Sequence, residues 1–126
     1  MREFADVAHL PWDPDQRAQN IRDFKNGEIW LICEDEKPFG YAVNVHGFSF
    51  EFGGRVAFID EFYLRLEHRR KGVGRQTLDF LARNAAGQGF VTMILEASDS
   101  QNDLHAFYET CGFSRRDYRL YTRNLR

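Results

Sequence analysis

Residues 55–82 read RVAFIDEFYLRLEHRRKGVGRQTLDFLA, and the fold turns on how this stretch is read. Val56 to Leu64 is apolar, β-branched and aromatic, which predicts a strand, and Gly53-Gly54 supplies the turn before it. Asp60 and Glu61 interrupt its apolar middle. From Val73 onward, Thr77, Leu78, Leu81, Ala82 and Ala85 recur at helical spacing, with Gly87 placed as a stop. Between strand and helix lies Arg69-Arg70-Lys71-Gly72-Val73-Gly74, followed by Arg75. A strand, a tight cationic turn and a helix start make an anion site. The first N–H groups of a helix lack partners, and the peptide dipole adds partial positive charge there. Glycine lets a bulky anion approach the backbone.

Two common phosphate patterns are not met. The P-loop needs Gly, four residues, then Gly-Lys-Ser or Gly-Lys-Thr, and the dinucleotide fingerprint needs a third glycine where Thr77 stands. On its own the turn also reads as a solvated cationic helix start with no ligand.

Working outward, Pro11 to Asn26 predicts a helix with Pro and Asp near its start. Glu28–Glu34 and Phe39–Phe52 predict two antiparallel strands around an Asp35–Pro38 turn, with the central strand third in sequence. Phe90–Ala97 predicts a fourth strand, parallel to the one before the helix because a β-α-β crossover joins them. A polar loop with several N-cap candidates leads to a short helix, Leu104–Thr110, closed by Cys111-Gly112. A strand from Phe113 and a terminal strand over Tyr118–Arg123 are expected after it.

The chain has 126 residues, enough for one domain with a modest core. It is 43% hydrophobic and 29% charged, with a net charge of −2, so bulk electrostatics give no support for a nucleic-acid or anionic-membrane partner. No apolar run approaches the ~20 residues that span a bilayer, and no signal peptide is visible, which makes the cytoplasm the expected compartment. Cys33 and Cys111 read as reduced, partly buried thiols. With His9, His46, His68 and His105 scattered, no metal site is expected.

The pattern Arg69-x-x-Gly72-x-Gly74 after an apolar strand resembles the coenzyme A pyrophosphate loop of the GNAT N-acetyltransferase superfamily. The run Ala106-Phe107-Tyr108-Glu109-Thr110-Cys111-Gly112-Phe113 resembles the second half of that family's signature, with an Asn in the preceding loop. The order of elements from residue 28 onward fits as well. The resemblance implies a mixed α+β fold: a mostly antiparallel twisted sheet, helices on both faces, and one parallel pair splayed around the cofactor.

It further implies an acetyl-CoA-dependent N-acetyltransferase acting on a primary amine in a ternary complex, without a metal. Backbone groups of Phe62, Tyr63 and Leu64 would hold the pantetheine arm. Arg69, Arg70, Lys71, Gly72, Val73, Gly74 and Arg75 would hold the pyrophosphate, with Asn102 and Phe107 contributing to the cofactor site. Tyr108 would protonate the departing sulfur, and Asp60 or Glu61 would take the amine's proton. Strict alternation puts Asp60 with Phe58 and Phe62, and Glu61 with Ile59 and Tyr63; a bulge would alter that parity. The other reading of either carboxylate is a salt bridge to an arginine or an exposed edge position.

Three departures from the family pattern are visible. The front end looks shortened or rearranged, so a partner subunit in a homodimer could complete the acceptor wall. The loop Asn usually sits seven residues before the Tyr, where Gln101 stands, one place ahead of Asn102. The residue after Arg69 is often Gly and here is Arg70. Glu51, Asp60, Glu61, Glu96 and Asp99 favour a cationic amine, small-molecule or peptide. Phe48, Phe50, Phe52 and Tyr63 line its pocket or belong to the ordinary core. The competing readings are an inactive coenzyme A-binding regulatory module and an interaction domain that keeps only the fold.

Overall fold

The structure is a computed structural model that describes residues 14–126. Residues 1–10, the first three positions of the expected helix and the rearranged front end lie outside the described residues. Helix α1 spans Pro14–Asp23, with Asp15 in its first turn and Arg22 in its last, each favourable to the helix dipole. It buries no residue, and its exposed surface carries side-chain bonds such as Gln19 to Asp23 at 2.9 Å.

Three antiparallel strands follow: β1 Gly27–Glu34, β2 Lys37–Ser49 and β3 Gly54–Leu64. Asp35 and Glu36, both at positive φ, make the tight turn between β1 and β2, whose twist suits a two-residue hairpin. β2 stops three residues short of the expected Phe52. There the Ser49 carbonyl accepts the Gly53 N–H at 2.9 Å and its hydroxyl accepts the Phe52 N–H at 3.1 Å, which closes the turn.

Helix α2 spans Val73–Gly87 and β4 spans Thr92–Leu95, parallel to β3, in a sheet ordered β1-β2-β3-β4. The expected crossover is present. Leu78, Leu81 and Ala85 form the buried stripe of α2. The left-handed residue that ends the helix is Gly89 rather than Gly87. The Gly89 N–H bonds Ala86 O at 3.1 Å and the Phe90 N–H bonds Ala85 O at 3.1 Å, the paired closure of a Schellman motif. Phe90 therefore caps the helix instead of opening the strand, and packs with Ala57, Ala85 and Met93. β4 therefore starts later than the expected Phe90, and it also ends at Leu95, two residues before the expected Ala97.

The two helices attach to opposite faces of the sheet. Phe80 of α2 meets Trp30 edge-on at 5.2 Å, and Trp30 pairs across the ladder with Ala42. Arg17 of α1 binds Glu61, which pairs with Val43, the neighbour of Ala42, and neighbouring strand residues point to opposite faces.

The chain divides into two compact units, one ending at Glu96 and the other Ala97–Arg126. In the second, helix α3 spans Asn102–Thr110, beginning two residues earlier than expected. Gly112 at positive φ ends it, with the Phe113 N–H on Tyr108 O at 3.1 Å. The two expected strands after Phe113 are absent: residues 113–126 are neither helix nor strand. Tyr118, Leu120, Tyr121 and Leu125 are exposed, so no buried face sets a strand register there. Cys33 is exposed rather than partly buried, and Cys111 is half-buried.

Candidate active site

β3 changes character at Asp60. Below it, Asn44 pairs with Ile59; above it, Val43 pairs with Glu61, so two consecutive residues of β2 face three of β3. Asp60 is the extra residue of a β-bulge. A bulge bends the strand and re-aims the side chains beyond it. Asn44 and Val43 point to opposite faces, so Ile59 and Glu61 do too. The expected parity of Glu61 with Ile59 is thereby corrected, while its parity with Tyr63 stands.

The β3–β4 ladder ends at the same place. Its pairs run from Val56–Thr92 to Ile59–Leu95, and β3 then continues five residues to Leu64 without β4. The strands fork at the bulge. Arg65 N–H bonds Phe39 O at 2.9 Å. Counting back along the antiparallel ladder, Tyr63 and Glu61 direct their backbone groups at β2, and Phe62 and Leu64 direct theirs at the flank that β4 has left. Of the three residues expected to offer backbone to a pantetheine arm, Phe62 and Leu64 are so oriented and Tyr63 is not. The Leu64 carbonyl accepts Arg69 Nε at 2.8 Å, which leaves the N–H of Leu64 and both groups of Phe62 on that flank.

That same bond folds the loop. After the short 3-10 turn Leu66–His68, Arg69 reaches back to Leu64 and sets its guanidinium 5.3 Å from the centre of the Tyr63 ring. Arg70 has φ 61°, a left-handed conformation that glycine adopts freely and arginine adopts at a cost. Gly72, at φ 81°, is the N-cap residue of α2 and provides no side-chain cap. The first intrahelical bond is Gln76 N–H to Gly72 O at 3.0 Å, so the N–H groups of Val73, Gly74 and Arg75 have no helical acceptor. A Cβ on Gly72 would meet nothing within 4 Å. No acidic residue stands in the first turn of α2, and Arg70, Lys71 and Arg75 are exposed around it. Uncapped donors, open space and uncompensated cations fit a diphosphate.

The two carboxylates lie in different surroundings. Glu61 Oε2 accepts Arg17 Nη1 at 2.7 Å, and Oε1 accepts Arg17 Nη2 at 2.6 Å and the Tyr41 hydroxyl at 2.9 Å. Desolvation alone would raise the Glu61 pKa, but the bonds from Arg17 and Tyr41 and the arginine charge outweigh it and hold the group below the usual glutamate value. The Tyr41 hydroxyl, desolvated and beside that carboxylate, is pushed well up and stays protonated. Asp60 is exposed, yet partial desolvation of its carboxyl, with the Glu61 charge added and Arg17 opposing, raises its pKa. Arg17 and Tyr41 are the site residues that sequence reasoning missed; the one hint was that a carboxylate in an apolar strand needs a partner.

In the second unit, Tyr108 packs between Phe107 at 5.5 Å and Phe113 at 6.0 Å. Burial, with the Cys111 charge added, raises its pKa, so the hydroxyl keeps its proton. Gln101 precedes α3, and its Oε1 accepts the Ser98 N–H at 3.2 Å. Asn102 is exposed as the first residue of that helix. Among the described residues no cluster of three or more His, Cys, Asp or Glu could hold a metal ion, and no helix is long and apolar enough to cross a membrane.

A forked parallel pair beside an uncapped, cationic helix start is the geometry that the sequence resemblance implied, and the sequence profile of the acetyltransferase (GNAT) family matches residues 1–113. The chain belongs to that family. Among solved structures, an integron cassette protein from the mobile metagenome of Cole Harbour Salt Marsh is 30% identical, with a TM-score of 0.82 over 98% of this chain and 79% of that one. An aminoglycoside acetyltransferase from an uncultured soil metagenomic sample is 14% identical, with a TM-score of 0.82 over 99% and 85%. A ribosomal-protein-alanine N-acetyltransferase from Brucella melitensis biovar Abortus 2308 is 22% identical, with a TM-score of 0.75 over 98% and 92%. At such identities the last two show the fold alone. No curated protein sequence matches the chain. The mixed α+β fold expected of a GNAT acetyltransferase is the fold observed, and acyl transfer is the general activity of this protein.

Glu51 and the aromatics Phe48 and Phe50 do not join the fork. They lie at the β2–β3 turn, six residues along β3 from Asp60, roughly 20 Å away at strand rise. Phe48 and Phe50 are exposed there and stack edge-on at 5.6 Å, while Tyr63 is buried against Tyr41.

Proposed function

We propose that this acetyltransferase moves an acetyl group from acetyl-CoA to a primary amine by direct attack while both substrates are bound. The observation that carries the reading is the uncapped start of α2, framed by Gly72 and its cations, at the end of a strand whose open edge begins where β4 stops. The N–H groups of residues 73–75 and the side chains of Arg70, Lys71 and Arg75 would grip the pyrophosphate. The backbone of Phe62 and the N–H of Leu64 would line the pantetheine arm as a strand lines its neighbour. Acetyl-CoA supplies an activated thioester, and the chain's own groups move protons and hold positions around it.

Asp60 or Glu61 takes the proton that the attacking nitrogen must lose. Tyr108, which keeps its proton, gives it to the departing sulfur. An acceptor carrying positive charge, a small polyamine or a peptide amine, suits the carboxylates at the bulge. The N-acetyltransferase named among the structural neighbours also acts on an amine.

The test starts with thermal unfolding. A ligand that binds only the folded protein stabilises it by about 2.7 kcal/mol at a hundredfold excess over Kd. Acetyl-CoA should raise the melting temperature, and Gly72→Asp should abolish that rise in a folded protein. Asp tolerates left-handed φ better than most residues, and the added Cβ meets open space. A rise that survives Gly72→Asp removes the pyrophosphate from this loop. Thiol release with a panel of amines then separates an enzyme from a binding module. Tyr108→Phe should lower kcat by about 100-fold with the acetyl-CoA Kd unchanged; an unaltered kcat takes Tyr108 out of the mechanism.

A further inference from the structure

We propose that the two adjacent carboxylates of the fork have separate tasks: Asp60 alone receives the amine's proton, and Arg17 is a positioning residue that holds Glu61 as a fixed anion beside it. The assignment rests on the acetyl-transfer reading above and deepens it.

Glu61 has no oxygen to spare. Both prongs of the Arg17 guanidinium and the Tyr41 hydroxyl are bonded to it, and the two charged side chains are only 23% and 16% exposed. Protonating such a carboxylate breaks charge-assisted bonds that nothing else in the cluster replaces. Asp60 is the opposite case. As the bulged residue it faces no partner on β2, and it stands one position past Ile59, the last residue of β3 that β4 pairs. It is exposed, and no side-chain hydrogen bond or ion pair engages it among the described residues. It therefore sits at the mouth of the fork, where the reacting carbonyl arrives if the pantetheine arm lies along Phe62 and Leu64.

Electrostatics agree with the geometry. Among the described residues, the charged groups near Asp60 are Glu61 on its own strand and Arg17 from α1; Glu61 is faced by Arg17 and by Tyr41 from β2; Thr92–Leu95 of β4 bring no titratable group. Partial desolvation and the neighbouring anion lift the Asp60 pKa toward the range useful to a base, against the pull of Arg17. Arg17 neutralises most of the Glu61 charge, so Asp60 is the carboxylate left to meet a cationic amine. An acceptor nitrogen that arrives as an ammonium first loses one proton to solvent; in the step itself the lone pair of the neutral amine forms the N–C bond and the proton that becomes surplus on nitrogen passes to the Asp60 carboxylate. The C–S electron pair leaves with sulfur, which takes the Tyr108 proton. Solvent then deprotonates Asp60 and reprotonates Tyr108, and the products are an amide and a free thiol.

The experiment measures kcat against pH for wild type, Asp60→Asn, Glu61→Gln, Arg17→Met and Arg17→Lys. Acetyl-CoA is the donor, and spermidine or a short peptide with a free N-terminus is the acceptor. Asp60→Asn should lower kcat by about 100- to 1000-fold and remove the acid limb of the profile, with the acetyl-CoA Kd kept. Glu61→Gln should lower kcat less than about tenfold and move the acid limb to lower pH, because the anion that raises Asp60 is gone. Arg17→Met should move that limb to higher pH, and Arg17→Lys should restore part of the shift. A loss in Glu61→Gln as large as that in Asp60→Asn overturns the assignment. So does an active Asp60→Asn. Carboxyl-carbon NMR titration of the wild type gives a readout apart from turnover: Asp60 should titrate above Glu61, and the reverse order overturns the assignment even in an inactive protein. Wild type that releases no thiol with either amine overturns the transfer reading instead, so the two failures are separate.

Discussion

The two halves of β3 make opposite use of one strand. From Val56 to Ile59 it has a strand neighbour on each side, and Val56, Ala57 and Ile59 are buried. From Asp60 to Leu64 it has β2 on one side only, and the half begins with two carboxylates and an arginine clamp. A single inserted residue, Asp60, separates the halves. The first is paired on both flanks; the second keeps Tyr63 and Leu64 buried but leaves one backbone edge open. A fold can thus place a reactive edge next to its core without exposing the core, provided the register shifts at the boundary.

If that division is right, truncation at Ile59, just before the bulge, should cost more than truncation at Phe62 on the open edge, whereas Tyr63 and Leu64 beyond it are buried core positions. Ile59→Ala should cost about 2–5 kcal/mol, the span of buried isoleucine truncations, because Ile59 is 4% exposed between two paired strands. Phe62→Ala, at a half-buried position on the open edge, should cost about 1–2 kcal/mol and weaken acetyl-CoA binding little, because its expected contacts are backbone groups. Urea unfolding of both variants checks the contrast. Equal losses would mean that the fork is packed as tightly as the ladder and is not an open edge.

The sequence made the first half readable because its signals are local. The apolar run Val56–Leu64, the helical spacing of Leu78, Leu81 and Ala85, and the glycine turn at Gly72 each depend on a few neighbouring residues, and the structure places them as read. The second half depends on partners far along the chain. The bulge at Asp60 exists only in the register between β2 and β3, and the clamp on Glu61 joins residues 44 positions apart. Alternation inside β3 could not reveal either. The same physics explains the missing terminal strands. Helix α3 and its Gly112 ending are local and are present, the helix starting two residues earlier than expected, whereas Tyr118–Arg123 has strand-like composition but finds no ladder among the described residues. Strand composition states a preference, and a strand also needs a partner.

The clamp itself offers the next test. Arg17→Met should cost about 2 kcal/mol at neutral pH, less than the 3–5 kcal/mol of breaking a fully buried pair, because both side chains keep some contact with water. The sign of its pH dependence follows from Glu61. A carboxylate whose folded pKa is depressed stabilises the native state above its unfolded pKa, and that stability is lost as pH falls through the folded value. Denaturation curves of wild type and Arg17→Met should therefore lie apart at neutral pH and converge below the ordinary glutamate range. Asp60 has the opposite sign. Its raised pKa favours the native state at low pH and disfavours it as pH rises through the folded value, so Asp60→Asn should leave the neutral-pH protein as stable as wild type or more so. Parallel curves for wild type and Arg17→Met across that range would show that the ion pair is not what ties α1 to the open half of β3.

The smallest expected effect lies in the loop that follows the open half of β3, where the backbone carries a conformational cost of its own. Arg70 sits at φ 61° where glycine is unstrained, and a left-handed L-residue costs about 1–2 kcal/mol. Arg70→Gly relieves that strain but frees the unfolded chain, so the net gain should be about 0.5–1 kcal/mol. The variant keeps the N–H at this position and loses one of several cations. Acetyl-CoA should therefore bind less than about tenfold more weakly, and the loss should shrink as salt is raised, since the missing charge is exposed and screened. A higher melting temperature without ligand, together with a smaller acetyl-CoA-induced rise, would show stability and anion binding traded against each other at one residue. A stability loss would mean that the arginine side chain makes contacts whose worth exceeds the strain, and the loop would then belong with the packed half of the molecule.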